Sequence, residues 1–170
     1  MPLIIGIGGG HSGSGKTTVA CAILQKLKGW GAIKYTRTPL YSSLITDDKV
    51  LSEENKDTRR LLDAGAQKVL WVCAPSEELG KILPVALEML AHLNGIIIEG
   101  NSAVRAVYPH IVIFAAGSEG NIKEGAEDIL RISDVVVFDK TPPPAAPDHA
   151  RRFRMNEMEG CVDFVIRHLG

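Results

Sequence analysis

The chain has 170 residues, 45% hydrophobic and 23% charged, and its 19 Lys and Arg against 20 Asp and Glu leave a formal net charge of -1. That balance gives no electrostatic reason to expect a nucleic-acid or anionic-membrane partner, and the length suits a single domain over residues 1–170 with a sizeable core. Cys21, Cys73 and Cys161 form no C-x-x-C pair, the N-terminus lacks a signal peptide's basic start, and no run approaches the roughly 20 apolar residues of a spanning helix, so a cytoplasmic protein with reduced thiols is expected.

Leu3, Ile4, Ile5 and Ile7 make a short apolar run fit for a buried first strand. It leads into a glycine cluster, and Gly10 to Thr17 reads G-x-x-x-x-G-K-T. That spacing makes a phosphate loop: successive backbone N–H groups curl around a phosphate, the lysine ammonium bridges its oxygens, and the first threonine hydroxyl ligates Mg²⁺. It assigns Gly10, Ser12, Gly13, Ser14, Gly15, Lys16, Thr17 and Thr18 to a nucleotide, with His11 a bystander in a variable slot. A glycine-rich turn with an exposed lysine is the plainer alternative, but a strand before and a helix after favour the loop. The helix is expected from Lys16, with Val19, Ile23, Leu27 and Trp30 on one face and Gly29 or Gly31 as its stop.

The second strand is expected at Ala32 to Arg37. Lys34 on it invites a role facing the site, the alternative being a lysine that snorkels from a strand edge. The polar stretch that follows, Thr38 to Asn55, reads as a loop. Within it Asp47 is a candidate metal ligand of a switch-like segment, with a solvated turn as the alternative for it and for Asp48. A helix is expected from Asp57 to Ala64, and Asp57 is either its N-cap or a site residue.

A third strand, Lys68 to Ala74, a helix, Glu77 to Leu93, and a fourth strand, Gly95 to Gly100, come next. The fourth strand ends its apolar run on Glu99, placed to hold Mg²⁺ or orient an attacking water, with a turn-capping acid as the alternative. Arg37 and Arg105 lie beyond strand ends, where guanidinium groups can grip phosphate or an anionic substrate; a solvated arginine is the alternative for each. Strands at His110 to Ala116 and Asp134 to Lys140 flank a short helix near Ala126 to Ile132.

Asp139 and Lys140 then fill the first two places of a base-reading segment. Pro142 stands where a guanine-reading carboxylate belongs, so the purine is GTP or ATP on this motif alone. After the proline-rich Thr141 to Pro147, Arg151, Arg152 and Arg154 are expected in a solvated loop. The last helix can begin at Asn156 with Glu159 reaching back and Met158, Val162, Val165 and Leu169 inward. Apolar strands interleaved with helices predict a three-layer α/β domain with a mainly parallel sheet and its site at the carboxyl ends of the strands.

Read together, "GHSGSGKTT" (Gly10 to Thr18), "IKYTR" (Ile33 to Arg37), "KDTRRLLDAGAQKVLWV" (Lys56 to Val72), "GIIIEG" (Gly95 to Gly100) and the following "HIVIF" resemble the molybdopterin-guanine dinucleotide biosynthesis protein B family. That family lies in the signal-recognition/MinD-type class of P-loop NTPases. The resemblance reaches from the first strand to about Lys140. It implies a homodimer that binds GTP with Mg²⁺, hydrolyses it weakly, and assists attachment of a guanine nucleotide to molybdopterin beside a molybdenum-cofactor biosynthesis enzyme. It also gives Lys16 and Thr17 the phosphate and Mg²⁺ roles and makes Glu99 and Asp57 site residues. Where the family's second strand runs into "HTHHD", this chain has "YTRTP".

Three functions stay open beside one another. They are a slow nucleotide hydrolase in cofactor maturation, a small-molecule kinase with its acceptor near Arg37 or Arg105, and a nucleotide-gated binding module without turnover. A metallochaperone of the urease or hydrogenase type shares the fold class, but the sequence lacks a cysteine and histidine cluster for it.

Overall fold

Runs such as Ile96–Ile97–Ile98 and Val135–Val136–Val137 have no polar face, so both of their faces need cover, and a sheet between two helical layers supplies it. The computed structural model describes residues 1–118 and 122–170. Its elements in chain order are β1 (Leu3–Gly9), α1 (Lys16–Leu24), β2 (Trp30–Arg37), β3 (Ser43–Ile45), α2 (Asp48–Leu51), α3 (Asp57–Asp63), β4 (Lys68–Ala74) and α4 (Leu79–Met89). They continue with β5 (Gly95–Glu99), α5 (Asn101–Ala106), β6 (Ile111–Gly117), α6 (Glu127–Arg131), β7 (Val135–Phe138), β8 (Arg151–Arg154) and α7 (Met158–Leu169).

One eight-stranded sheet runs in the order β3-β4-β2-β5-β1-β6-β7-β8. All its pairings are parallel except that of the short edge strand β3 with β4. On one face, α1, α3 and α7 bring Val19, Ile23, Leu61, Val162 and Val165 onto Ile5, Ile7, Ala32 and Ile97. On the other, α4 sets Leu79, Leu83 and Ala86 on Ile33, Leu70 and Ile98, while α6 sets Ile129 and Leu130 against Phe114 and Val136. Each Val, Leu or Ile among them, fully buried, contributes roughly 1.5–3 kcal/mol.

Period-two alternation then fixes where the polar side chains of these strands point. Ile97 joins the α1 face and Ile96 and Ile98 the α4 face, so Glu99 emerges on the α1 face. Lys34, two positions after Ala32, emerges there too, and the parallel register sets it directly beside Glu99. β1 sits between β5 and β6, yet the chain leaves it through α1 toward β2 on one side and leaves β5 through α5 toward β6 on the other. The divergence opens a crevice at the carboxyl end of β1.

Several expected boundaries move. α1 ends at Leu24, and Trp30 opens β2 instead of closing the helix face. The turn between them passes through Gly29 at φ 73°, and the Trp30 ring lies so close to Gly95 that a Cβ there would collide with it. The expected loop from Thr38 to Asn55 contains β3 and α2. The expected helix from Glu77 opens as a 3₁₀ turn over Ser76–Glu78 before α4. The arginines expected in a loop instead form the edge strand β8, beside β7. Asn156 falls in a 3₁₀ turn, Met155–Glu157, and the glutamate that reaches back is Glu157, accepting from the Arg154 N–H at 2.7 Å, in place of Glu159.

Candidate nucleotide site

The loop after β1 is held from both sides. Asn101 clamps Gly9, accepting its N–H at 2.8 Å and donating to its carbonyl at 2.9 Å, while Gly10 donates to the Ala115 carbonyl at 3.0 Å and accepts from the Lys123 N–H at 2.7 Å. Gly13 and Gly15 take φ of 75° and 102°, conformations a side chain disfavours, and Gly15 also lies under the Met155 methyl, 2.6 Å from where a Cβ would stand. α1 starts directly afterwards at Lys16, so its unpaired N–H groups face the loop. The loop and its neighbours enclose a cavity of about 180 Å³ lined by Ser12 to Thr18, Lys34, Asp57, Arg60 and Glu99.

At the cavity's inner wall Glu99 is 1% exposed. Its Oε1 accepts from the Thr17 hydroxyl at 2.8 Å and from the Lys34 ammonium at 2.6 Å, and its Oε2 is enclosed with no hydrogen-bond partner among the described residues. Lys34 donates a second time, to Asp57 Oδ2 at 2.9 Å. Arg60 stands one turn beyond Asp57, 3.5 Å from Asp57 Oδ1, and its guanidinium donates to the Thr18 hydroxyl at 3.0 Å.

The charges respond to one another. Burial pushes the Lys34 ammonium down, but the Glu99 charge and the hydrogen bonds to Glu99 and Asp57 outweigh it and hold the group above its ordinary value. Burial likewise acts to raise Asp57, and Lys34, Arg60 and the Thr17 hydroxyl together bring it below the ordinary carboxylate range. Lys16 goes the other way: burial lowers it, the neighbouring Lys34 adds to that, and Glu99 and Asp57 offset only part. Its ammonium has the His11 carbonyl as a partner, at 3.3 Å.

Of the residues singled out from the sequence, Lys16, Thr17, Lys34, Asp57 and Glu99 converge here, with Ser12 to Thr18 forming the floor. Asp57 is the first residue of α3, and the N-cap position belongs to Lys56. Asp47 is not brought to the cluster. β3 runs antiparallel to β4, away from the carboxyl ends, so the chain arrives at Asp47 near the opposite edge, where it caps α2 by accepting from the Lys49 N–H at 2.8 Å. Asp48 beside it lies 3.7 Å from Lys68, the first residue of β4.

Arg105 is also elsewhere, donating to the Gly125 carbonyl at 2.8 Å near Asp128, and Arg37 stands exposed at the tip of β2. Asp139 and Lys140 are exposed after β7; the cleft beside them is lined by Ala116, Gly117, Ser118 and Thr141 to Pro144 instead. That cleft flanks the phosphate loop, since Gly117 packs against His11 and Ser14. Sequence reading missed Arg60, Asn101 and Met155. Arg60 had a signal, its spacing of three from Asp57 on one helix, whereas Asn101 and Met155 reach the loop only through tertiary packing.

The donor set suits Mg²⁺: a hydroxyl, a carboxylate with one oxygen unpartnered, and a second carboxylate nearby are hard oxygen ligands. Among the described residues no group of three or more His, Cys, Asp or Glu side chains is placed to share a metal ion, and no helix is long and apolar enough to cross a membrane.

No protein-family model matches the chain, and no curated protein matches it. Among solved structures it is similar to HypB from Helicobacter pylori, whose structure holds nickel, with a TM-score of 0.61 and 13% identity over 97% of this chain and 86% of that one. At that identity the likeness is one of fold, the α/β fold of the P-loop NTPases with its mostly parallel eight-stranded sheet and interleaved helices.

Proposed function

We propose that the protein binds a purine nucleoside triphosphate with Mg²⁺ and hydrolyses it slowly, as an accessory to molybdenum-cofactor biosynthesis. The observation that carries the nucleotide reading is Glu99, a carboxylate enclosed at the phosphate loop, bonded to Thr17 and keeping one oxygen unpartnered. A buried acid with an idle oxygen is costly unless something arrives to use it.

In this reading the loop N–H groups and Lys16 bind the phosphates, and the low-lying Lys16 ammonium gains the anionic partner its burial lacks. Thr17 and Glu99 would hold Mg²⁺, with Asp57 beside them; when bound, the cation neutralises charge on the phosphate oxygens. Asp57, held ionised, and Glu99 orient a water for attack, and Arg60 can meet charge that develops on the terminal phosphate. The resemblance in the loop and the Glu-Gly strand end supplies the finer part: GTP as nucleotide, a homodimer, and molybdopterin chemistry as the context. The purine would lie against the Thr141 to Pro144 segment, whose cleft of about 50 Å³ is too small to enclose it, and Pro142 provides packing but no guanine-reading carboxylate.

A second reading, phosphoryl transfer to a small molecule, is favoured by a further cavity of about 150 Å³ that shares Lys34 and Asp57 with the phosphate site and is completed by Thr36, Lys56, Thr58 and Trp71. A cavity near 150 Å³ is about large enough for one aromatic ring. It replaces the neighbourhoods of Arg37 and Arg105 as the place for an acceptor.

Calorimetry with GTP and ATP tests the proposal. Wild type is expected to bind both with Mg²⁺, GTP ahead by about tenfold or less because a cleft that only sandwiches a purine discriminates little, and Lys16→Ala to lose most of the affinity while keeping its fold. Unchanged binding in Lys16→Ala would remove the phosphate loop from the function. Phosphate release without any added acceptor separates hydrolysis from the kinase reading.

A further inference from the structure

The Lys34 ammonium fills the space between the two carboxylates that a cation at this site would use. Nζ lies 2.6 Å from Glu99 Oε1 and 2.9 Å from Asp57 Oδ2, and the Glu99 oxygen it holds is the same one bonded to Thr17. Without Lys34, Glu99 on the inner wall of the cavity would keep the Thr17 hydroxyl as its one hydrogen-bond partner among the described residues, with Lys16 acting on its charge only through space and Arg60 left beside Asp57.

We propose that Lys34 is a resident counter-ion: it bridges Glu99 and Asp57 in the nucleotide-free protein, keeps free Mg²⁺ out, and exchanges these carboxylates for phosphate oxygens when a triphosphate and Mg²⁺ enter together. The inference rests on the nucleotide reading for its last step only; the exclusion of free cation stands on the ion pairs.

Three observations carry it. Lys34 is fixed at its Cα by the β2–β5 register but ends in a flexible four-carbon stem, so the ammonium can change partners while the strand stays still. A divalent cation on Glu99, whether at its idle Oε2 or at the oxygen that Lys34 holds, would stand close beside the ammonium's positive charge, so the two compete. A triphosphate resolves the competition, because the cavity that Lys34 lines also holds Lys16, whose ammonium has the His11 carbonyl as its one hydrogen-bond partner among the described residues. Lys34 is a positioning residue in this scheme. It makes Mg²⁺ binding conditional on nucleotide, and it prevents the acids from being charged by cation alone.

The test is manganese binding followed by electron paramagnetic resonance, with no nucleotide present, on wild type, Lys34→Met and Lys34→Arg. Wild type and Lys34→Arg are expected to bind Mn²⁺ weakly, and Lys34→Met about tenfold or more tightly than either. The melting temperature of Lys34→Met, but not of wild type, is expected to rise with added Mg²⁺. Affinity in Lys34→Met no greater than in wild type would overturn the proposal.

Unpaired acids can prevent Lys34→Met from folding. Its recovery by Mg²⁺ alone would then support the proposal. If Mg²⁺ does not restore it, the ¹⁵N resonance of the Lys34 ammonium in wild type decides: a signal unmoved by Mg²⁺ alone and shifted by Mg²⁺ with GTP is expected, and a shift by Mg²⁺ alone overturns the idea. A wild type that binds no triphosphate would sink the nucleotide reading while leaving the manganese comparison intact.

Discussion

Glu99 and Asp57 are both carboxylates within reach of one lysine, and their surroundings separate their roles. The Glu99 side chain is 2% exposed and that of Asp57 43%, so solvent screens Asp57 far more. Exposed ion pairs are worth roughly 0–1 kcal/mol, whereas breaking a buried pair by removing one partner costs about 3–5 kcal/mol. Glu99→Gln is therefore expected to destabilise the fold more than Asp57→Asn. In Glu99→Gln the side-chain oxygen can still accept from the Thr17 hydroxyl, so triphosphate affinity should stay within a few fold. Hydrolysis should fall by about 10²-fold or more, the scale of losing a positioned acid or base. Single-turnover hydrolysis set beside equilibrium binding distinguishes the two effects, and equal rates in variant and wild type would exclude Glu99 from the chemistry.

At the scale of elements, the C-terminal segment acts on a loop more than a hundred residues away in sequence. β8 lies along β7 at the sheet edge, the 3₁₀ turn follows, and Met155 there packs its methyl against Gly15. Removing that side chain should let the left-handed turn before α1 open more readily. Met155→Ala is expected to cost about 1 kcal/mol, since the residue is only partly buried, to weaken triphosphate binding a few fold, and to speed amide exchange at Gly13 to Lys16. If exchange at the loop is unchanged, the contact is incidental. The same segment shows where sequence reading stops. Arg151 to Arg154 is a charged stretch with no apolar alternation, as an edge strand can afford, and only its pairing with β7 makes it a strand. The phosphate loop was legible because a bound phosphate dictates residue types at fixed spacing, and Glu99 because an apolar run ending in an acid is rare. Lys34 was legible as a candidate, but its partner was not, since that depends on which strands become neighbours. Asp47 was misplaced for a related reason: three residues of antiparallel β3 reverse the chain and carry it away from the site.

For the molecule as a whole, the phosphate loop is only as rigid as the layer of helices behind it. α7 closes that layer through Cys161, Val162 and Val165, which lie in the same core as α1 and the inner strands. Cys161 is fully enclosed, and burial pushes its thiol up from an ordinary value of 9.0 to about 12. A thiol raised on folding contributes stability that is fully present below its unfolded value and disappears as pH climbs toward the folded one. Lys34, also raised on folding, acts in the same direction above its ordinary 10.5. Stability should therefore hold up to about pH 9 and decline beyond it, the thiol accounting for up to about 1.4 kcal/mol per pH unit. Cys161→Ala is expected to start less stable, because it leaves a small void under α7, but to lose stability more slowly between pH 9 and 11. Chemical denaturation at a series of pH values measures both slopes. Parallel declines in the two proteins would mean that α7 tolerates a thiolate, and would shift the alkaline weakness of the fold onto Cys21 and Cys73, whose thiols burial also raises, joined by Lys34 above 10.5.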